Sequence, residues 1–227
     1  MVSEETTNAA AKRPQWKIVL PILFGPVAVY YGVAWILARV IRLPQAEYLD
    51  AYPWVLLGMY VFLFFVIRKA TTTEGMKIPE IVNIQRGKLF ADIGIGVAVF
   101  FGLLLINSVY SVLWSSRFPL PQVTYSSNPF TIDTMILLLP IGAGIVEELV
   151  WRGYGNSRLL VLTGSPLKSI LISSLGFGTW HVDLFHFGYT FIGGLFLGYI
   201  YTTNKRLLPC MVGHWLYDFI ATLSYFG

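Results

Sequence analysis

Residues 134–152 read TMILLLPIGAGIVEELVWR, an apolar helical run interrupted near its end by two adjacent carboxylates, Glu147 and Glu148, and closed by Arg152. A carboxylate in hydrocarbon costs roughly 2.5–3.5 kcal/mol on insertion scales, so two side by side mark a functional site by default. The bland alternative is a helix end at the inner interface with its charges reaching for water. That reading suits a soluble helix better than one that follows residues 137–146.

The rest of the chain is of the same kind. Of its 227 residues 56% are hydrophobic and 12% charged, and the mean hydropathy is +0.65, a bilayer composition rather than that of a soluble domain. Trp16, Trp54, Trp114 and Tyr201 fall near the ends of apolar runs, where amphipathic rings settle. The net charge of +4 reads as basic loops beside anionic lipid and calls for no nucleic acid. The single cysteine, Cys210, excludes an internal disulfide and reads as a buried small thiol. The first apolar run, residues 18–40, is too long for a signal-peptide core, lacks a small-x-small cleavage site, and reads as a retained anchor.

Windows of about 19 residues, enough helix to cross about 30 Å of hydrocarbon, fall at 18–40, 51–67, 90–114, 132–152, 168–187, 188–203 and 207–226. The expectation is an all-α, polytopic membrane helix bundle of about seven transmembrane helices in a single membrane domain over 1–227, with its least marked boundary near Phe187 and Gly188. A barrel is excluded because the runs lack alternation. Alternating the loops gathers Lys12, Arg13, Lys17, Arg68, Lys69, Lys77, Arg86, Lys88, Arg152, Arg158, Lys168, Lys205 and Arg206 on one side, with Arg39, Arg42 and Arg117 opposite. The positive-inside rule then puts the N-terminus in the cytoplasm.

Within residues 68–88, Ile78, Ile81 and Val82 form a stripe at helical spacing that fits either an interfacial helix or a solvated linker. Thr131 and Asp133 are candidate caps of the fourth span, and Ser165 with Pro166 reads as the start of the fifth.

On an α-helix successive residues lie about 100° apart, so Glu147 and Glu148 face different ways. Glu148 and Arg152, at i,i+4, share a face and read as a structural pair beside the site. Glu147 has no local partner and is the candidate general base. Pro140, Gly142 and Gly144 just before it suit a local opening of the helix or close helix packing. His181 ends the run Phe177-Gly-Thr-Trp-His181, and His214 stands four residues before Asp218, where a carboxylate can orient the ring. His186 reads as interfacial. Gly194 and Gly198 match a helix-packing motif. Asp92 and Asn107 are candidates to line the same cavity. No zinc-protease, serine-elbow, intramembrane aspartyl or nucleotide-binding signature occurs.

Glu147-Glu148-x-x-x-Arg152-Gly153, Phe177-x-x-x-His181 and His214-x-x-x-Asp218, in this order, resemble the motif set of the CPBP family, which comprises CaaX prenyl endopeptidases and bacteriocin-processing or self-immunity (Abi) membrane proteases. The likeness covers 130–227; the spans in 18–114 carry nothing diagnostic. It implies an intramembrane endopeptidase of a prokaryotic cell membrane, with a site reached from the cytoplasmic side. Its partners would be the lipid bilayer and a membrane-associated protein or peptide substrate, prenylated in the CaaX case. By the same resemblance Glu147 and His181 activate a water, while His214 and residue 218 stabilise the oxyanion. The family's usual asparagine is Asp218 here. An ionised carboxylate cannot donate to an oxyanion, so the favoured role for Asp218 is to hold His214. Glu147, His181, His214 and Asp218 are also a plausible zinc set, although no cofactor is favoured. The non-enzymatic alternative is a membrane immunity or interaction protein whose polar cluster fixes helix packing. A proton-coupled transporter is disfavoured by the short length and the lack of paired broken spans.

Overall fold

The computed structural model describes residues 13–121, 124, 126–181 and 183–226. Every regular element among them is helical. The helices are α1 (Trp16–Val40), α2 (Gln45–Thr73), α3 (Ile78–Val82), α4 (Leu89–Ser115), α5 (Pro129–Thr163), α6 (Pro166–Trp180), α7 (Leu184–Asn204) and α8 (Leu208–Phe226). Among the described residues, five helical segments are long and apolar enough to cross a membrane: α1, α2, the α3–α4 stretch Ile78–Ser115, α5 and α7. α6 and α8 fall short of that standard, so the expected count of seven crossings is not met on length and composition.

Three boundaries differ from expectation for identifiable reasons. The break expected at Phe187 and Gly188 lies earlier, between the end of α6 at Trp180 and the start of α7 at Leu184, where the Asp183 side chain accepts from His186 N at 2.9 Å. α5 begins at an Asn128 cap accepting from Phe130 N at 3.1 Å, not at Thr131 or Asp133. It also runs on past Arg152 to Thr163, because Gly153 and Gly155 stay helical and buried there. Ser165 does cap α6, accepting from Lys168 N at 3.4 Å.

α5 occupies the centre of the bundle, touching α1, α2, α3, α6, α7 and α8. One of its faces, Val146, Val150, Trp151 and Tyr154, packs on α1, α2 and α6. Leu149 packs on a second core from α4, α7 and α8. Burying roughly 1.5–3 kcal/mol worth of each such side chain on both sides holds α5 from both directions. α3 is a packed helix rather than a solvated linker: Ile81 is buried, and Leu207 N donates to Val82 O at 3.0 Å. Gly194 meets Ser174 and Phe177, and Gly198 meets Ile170 and Asn156, so the motif is a packing face.

The loop alternation read from the charges is reflected in contacts at the two ends. At one end Arg158 pairs with Glu74 (3.0 Å), Arg206 with Asp92 (2.7 Å), and Asn83 Nδ2 donates to Lys205 O (2.7 Å). At the other, Asp50 accepts from Ser126 and Thr131, Trp54 stacks on Phe130, and Trp114 meets Phe185. Arg152 belongs to neither end; it is buried inside the bundle at 1% exposure. Lys12 lies outside the described residues.

Candidate active site

Residues Ala143–Asn156 of α5 are wound with i→i+5 hydrogen bonds rather than i→i+4. Such widened turns are rare and recur at functional sites. The α-helical spacing used to separate Glu147 from Glu148 therefore does not apply to this segment, and both carboxylates engage the same histidine. Glu148 Oε1 accepts from Arg152 Nη1 at 2.9 Å and from His214 Nδ1 at 2.8 Å. Glu147 Oε2 stands 3.9 Å from His214 Nε2, and Asp218 Oδ2 is 3.5 Å from the same nitrogen. His214 thus has carboxylates at both of its ring nitrogens.

The expected pairing of His214 with Asp218 is present at 3.5 Å, and Glu148 adds a second, closer carboxylate on the other ring nitrogen. Glu148 is at hydrogen-bond length on Nδ1, and Asp218 sits on the Nε2 side. Helical i,i+4 spacing brought Asp218 near but could not foresee a closer acid from α5. Glu148 remains paired with Arg152 as expected. The guanidinium also lies over the Phe177 ring, 4.0 Å from its centroid.

Glu147 Oε1 accepts from Tyr60 Oη at 2.7 Å and from Trp180 Nε1 at 2.9 Å. Sequence reasoning missed both donors. Trp180 stood inside a quoted motif, but Tyr60 is one of 13 tyrosines in a span without a motif, and nothing distinguished it.

His181 ends α6 on a turn (φ −98, ψ 36). Its Nδ1 is 3.0 Å from Phe177 O. A carbonyl only accepts, so Nδ1 carries the proton and Nε2 is the nitrogen left with a lone pair. His181, His214 and Asp218 line one cavity of about 40 Å³ between α4, α6, α7 and α8, walled also by Leu103, Tyr189 and Leu197. At about 10–15 Å³ per water it holds a few waters. Glu147 borders this group through His214 without lining the cavity wall. Asp92 and Asn107 are not part of it: Asp92 pairs with Arg206, and Asn107 accepts from Ser111 on its own helix. Cys210 is buried beside Leu197 O, and His186 pairs with Asp183 at a partly exposed position.

Among the described residues no three acidic, histidine or cysteine groups are arranged to hold an ion. His214 Nδ1 is committed to Glu148, and Glu147 Oε1 to two donors. Glu147 also lies near the middle of α5 rather than within two turns of its end, because the helix continues to Thr163.

Residues 129–220 match the model of a family described as type II CAAX prenyl endopeptidase Rce1-like. No curated protein and no solved structure matches the chain. The matched stretch begins with α5 and takes in Glu147, His181, His214 and Asp218. The CPBP-type resemblance therefore holds over that stretch. At that coarse level the match supports a hydrolase of peptide bonds, and the apolar helices make it a multi-pass membrane protein.

Proposed function

We propose that the chain is an intramembrane endopeptidase that cleaves a membrane-associated peptide with a water activated by Glu147. The supporting observation is that His181, His214 and Asp218 line one cavity with room for a few waters, and that Glu147 Oε2 lies 3.9 Å from His214 Nε2. Four titratable side chains from three helices, each costly to bury, gather at this cavity or directly beside it.

In this reading the water rests against His181 Nε2, which can only accept while Nδ1 donates to Phe177 O. Glu147 takes one proton from it, and the hydroxide adds to the carbonyl carbon. The negative charge that develops on the carbonyl oxygen is met by His214 Nε2–H, held in place because Glu148 binds Nδ1. Collapse breaks the C–N bond, and Glu147 returns its proton to the leaving amine. Asp218, whose Oδ2 lies 3.5 Å from Nε2, sits beside that donor on the cavity wall. No step uses a metal.

The end bearing Arg13, Lys17, Arg68, Lys69 and Lys88 faces the cytoplasm on the positive-inside rule. The substrate class is a peptide tethered to the membrane, prenylated or not. The deciding experiment is cleavage of a fluorogenic peptide in vesicles by wild type and Glu147→Ala. Activity lost with the fold retained supports the assignment, and unchanged cleavage removes the base.

A further inference from the structure

We infer that Tyr60, on α2 and outside the family-matched stretch, is a positioning residue that selects which oxygen of Glu147 receives the proton. The inference rests on Glu147 acting as the base. Two donors converge on Oε1, the Tyr60 hydroxyl at 2.7 Å and the Trp180 indole at 2.9 Å. An indole N–H can only donate, so Oε1 is kept as an acceptor. A proton drawn from water is directed to Oε2, which has no hydrogen-bond partner among the described residues and faces His214 Nε2.

The terminal torsion of a glutamate is broad and poorly fixed by itself. One donor leaves the carboxylate plane free to rock about that bond, whereas two donors from different helices hold it. Tyr60 is in turn placed by α5. A Cβ at Gly142 would stand 2.4 Å from Tyr60 Cδ2 and 2.9 Å from Cε2, so the ring lies where only glycine leaves room. Tyr30 of α1 packs edge-on against Trp180, with ring centroids 5.7 Å apart, and meets Tyr52 of α2 at 6.3 Å. Helix α1 thereby backs the indole donor. The bland reading is a core tyrosine whose hydroxyl found the nearest acceptor. It accounts for the hydrogen bond, but not for a glycine that admits the ring one turn before the carboxylate it reaches.

The test uses the full chain in lipid nanodiscs with a membrane-bound peptide. Tyr60→Phe removes only the hydroxyl and is expected to lower kcat by about 10–100-fold, the scale of a small misplacement of a reacting group. KM should stay within about twofold, because substrate contacts are untouched. Gly142→Ala adds a methyl whose nearest neighbours are all atoms of the Tyr60 ring, and the same loss in kcat is expected from it. Cooperative melting of each variant establishes that it is folded. Unchanged kcat in either folded variant, or a loss confined to KM, overturns the positioning role. Glu147→Gln separates the two levels. If it is inactive while Tyr60→Phe is unimpaired, only the positioning role falls; if it stays active, the base assignment falls with it.

Discussion

The bundle buries two groups of charge, and they differ in what surrounds them. At the basic end Arg206 binds Asp92 at 2.7 Å, and Arg158 binds Glu74 at 3.0 Å with Tyr154 donating to the same acid at 2.8 Å. These clamps tie the α7–α8 connection to α4, and α5 to the end of α2, and neither lines the cavity. In the middle of the bundle Glu148 joins Arg152 in a pair of the same kind, yet it also holds His214, whose other nitrogen faces Asp218 and Glu147. Burial alone therefore does not mark chemistry in this protein. What separates the two groups is a histidine between several carboxylates and a cavity beside it.

The two groups should differ most at Glu147. Glu147→Ala is expected to lower the cleavage rate by about 10²–10⁴-fold, the usual range for a general base, with melting retained; a rate near wild type would put the central group in the same class as the clamps. Asp92→Asn in a clamp leaves Arg206 buried without its counter-charge and should cost about 3–5 kcal/mol of stability. Its folded fraction should cleave at the wild-type rate, as read by unfolding curves beside active-site-normalised kinetics. Glu148→Gln is the sharpening case, because it should do both, destabilising through Arg152 and slowing turnover through His214. A purely structural Glu148 would leave turnover per folded molecule intact.

Replacing the whole clamp, Asp92→Leu with Arg206→Met, should bring stability back to within about 1 kcal/mol of wild type, since a buried pair exchanged for apolar side chains is often neutral. The smallest effect expected is none. Strong zinc chelators should leave the rate unchanged, whereas a loss restored by added zinc would return Glu147, His181, His214 and Asp218 to the status of ligands.

Several elements were legible in advance, for physical reasons. Long apolar runs without alternation dictate helices, since backbone groups in hydrocarbon must bond internally. Ser165-Pro166 marked the start of α6, and Gly194 and Gly198 marked a packing face. Glu147, Glu148, His181, His214 and Asp218 stood out because each is expensive in an apolar setting. Stretches near helix ends were harder to read. The span expected to end at residue 152 continues as a buried helix through Gly153 and Gly155 once its neighbours supply the packing. Ile78, Ile81 and Val82 look amphipathic, and whether such a stripe meets lipid or protein is settled only by what folds against it.

Composition and motif order by themselves determined that this is a helical membrane protein with costly polar groups on three separate spans, because those costs are local and additive along the chain. Which carboxylate holds His214, which oxygen of Glu147 is free, and that Tyr60 reaches it from α2 were decided only by the tertiary structure. The reason is that hydrogen bonds depend on ångström distances between residues as far apart as Tyr60 and Glu147, set by the widened turn of α5 and the glycine that admits a ring, and no one-dimensional spacing encodes them.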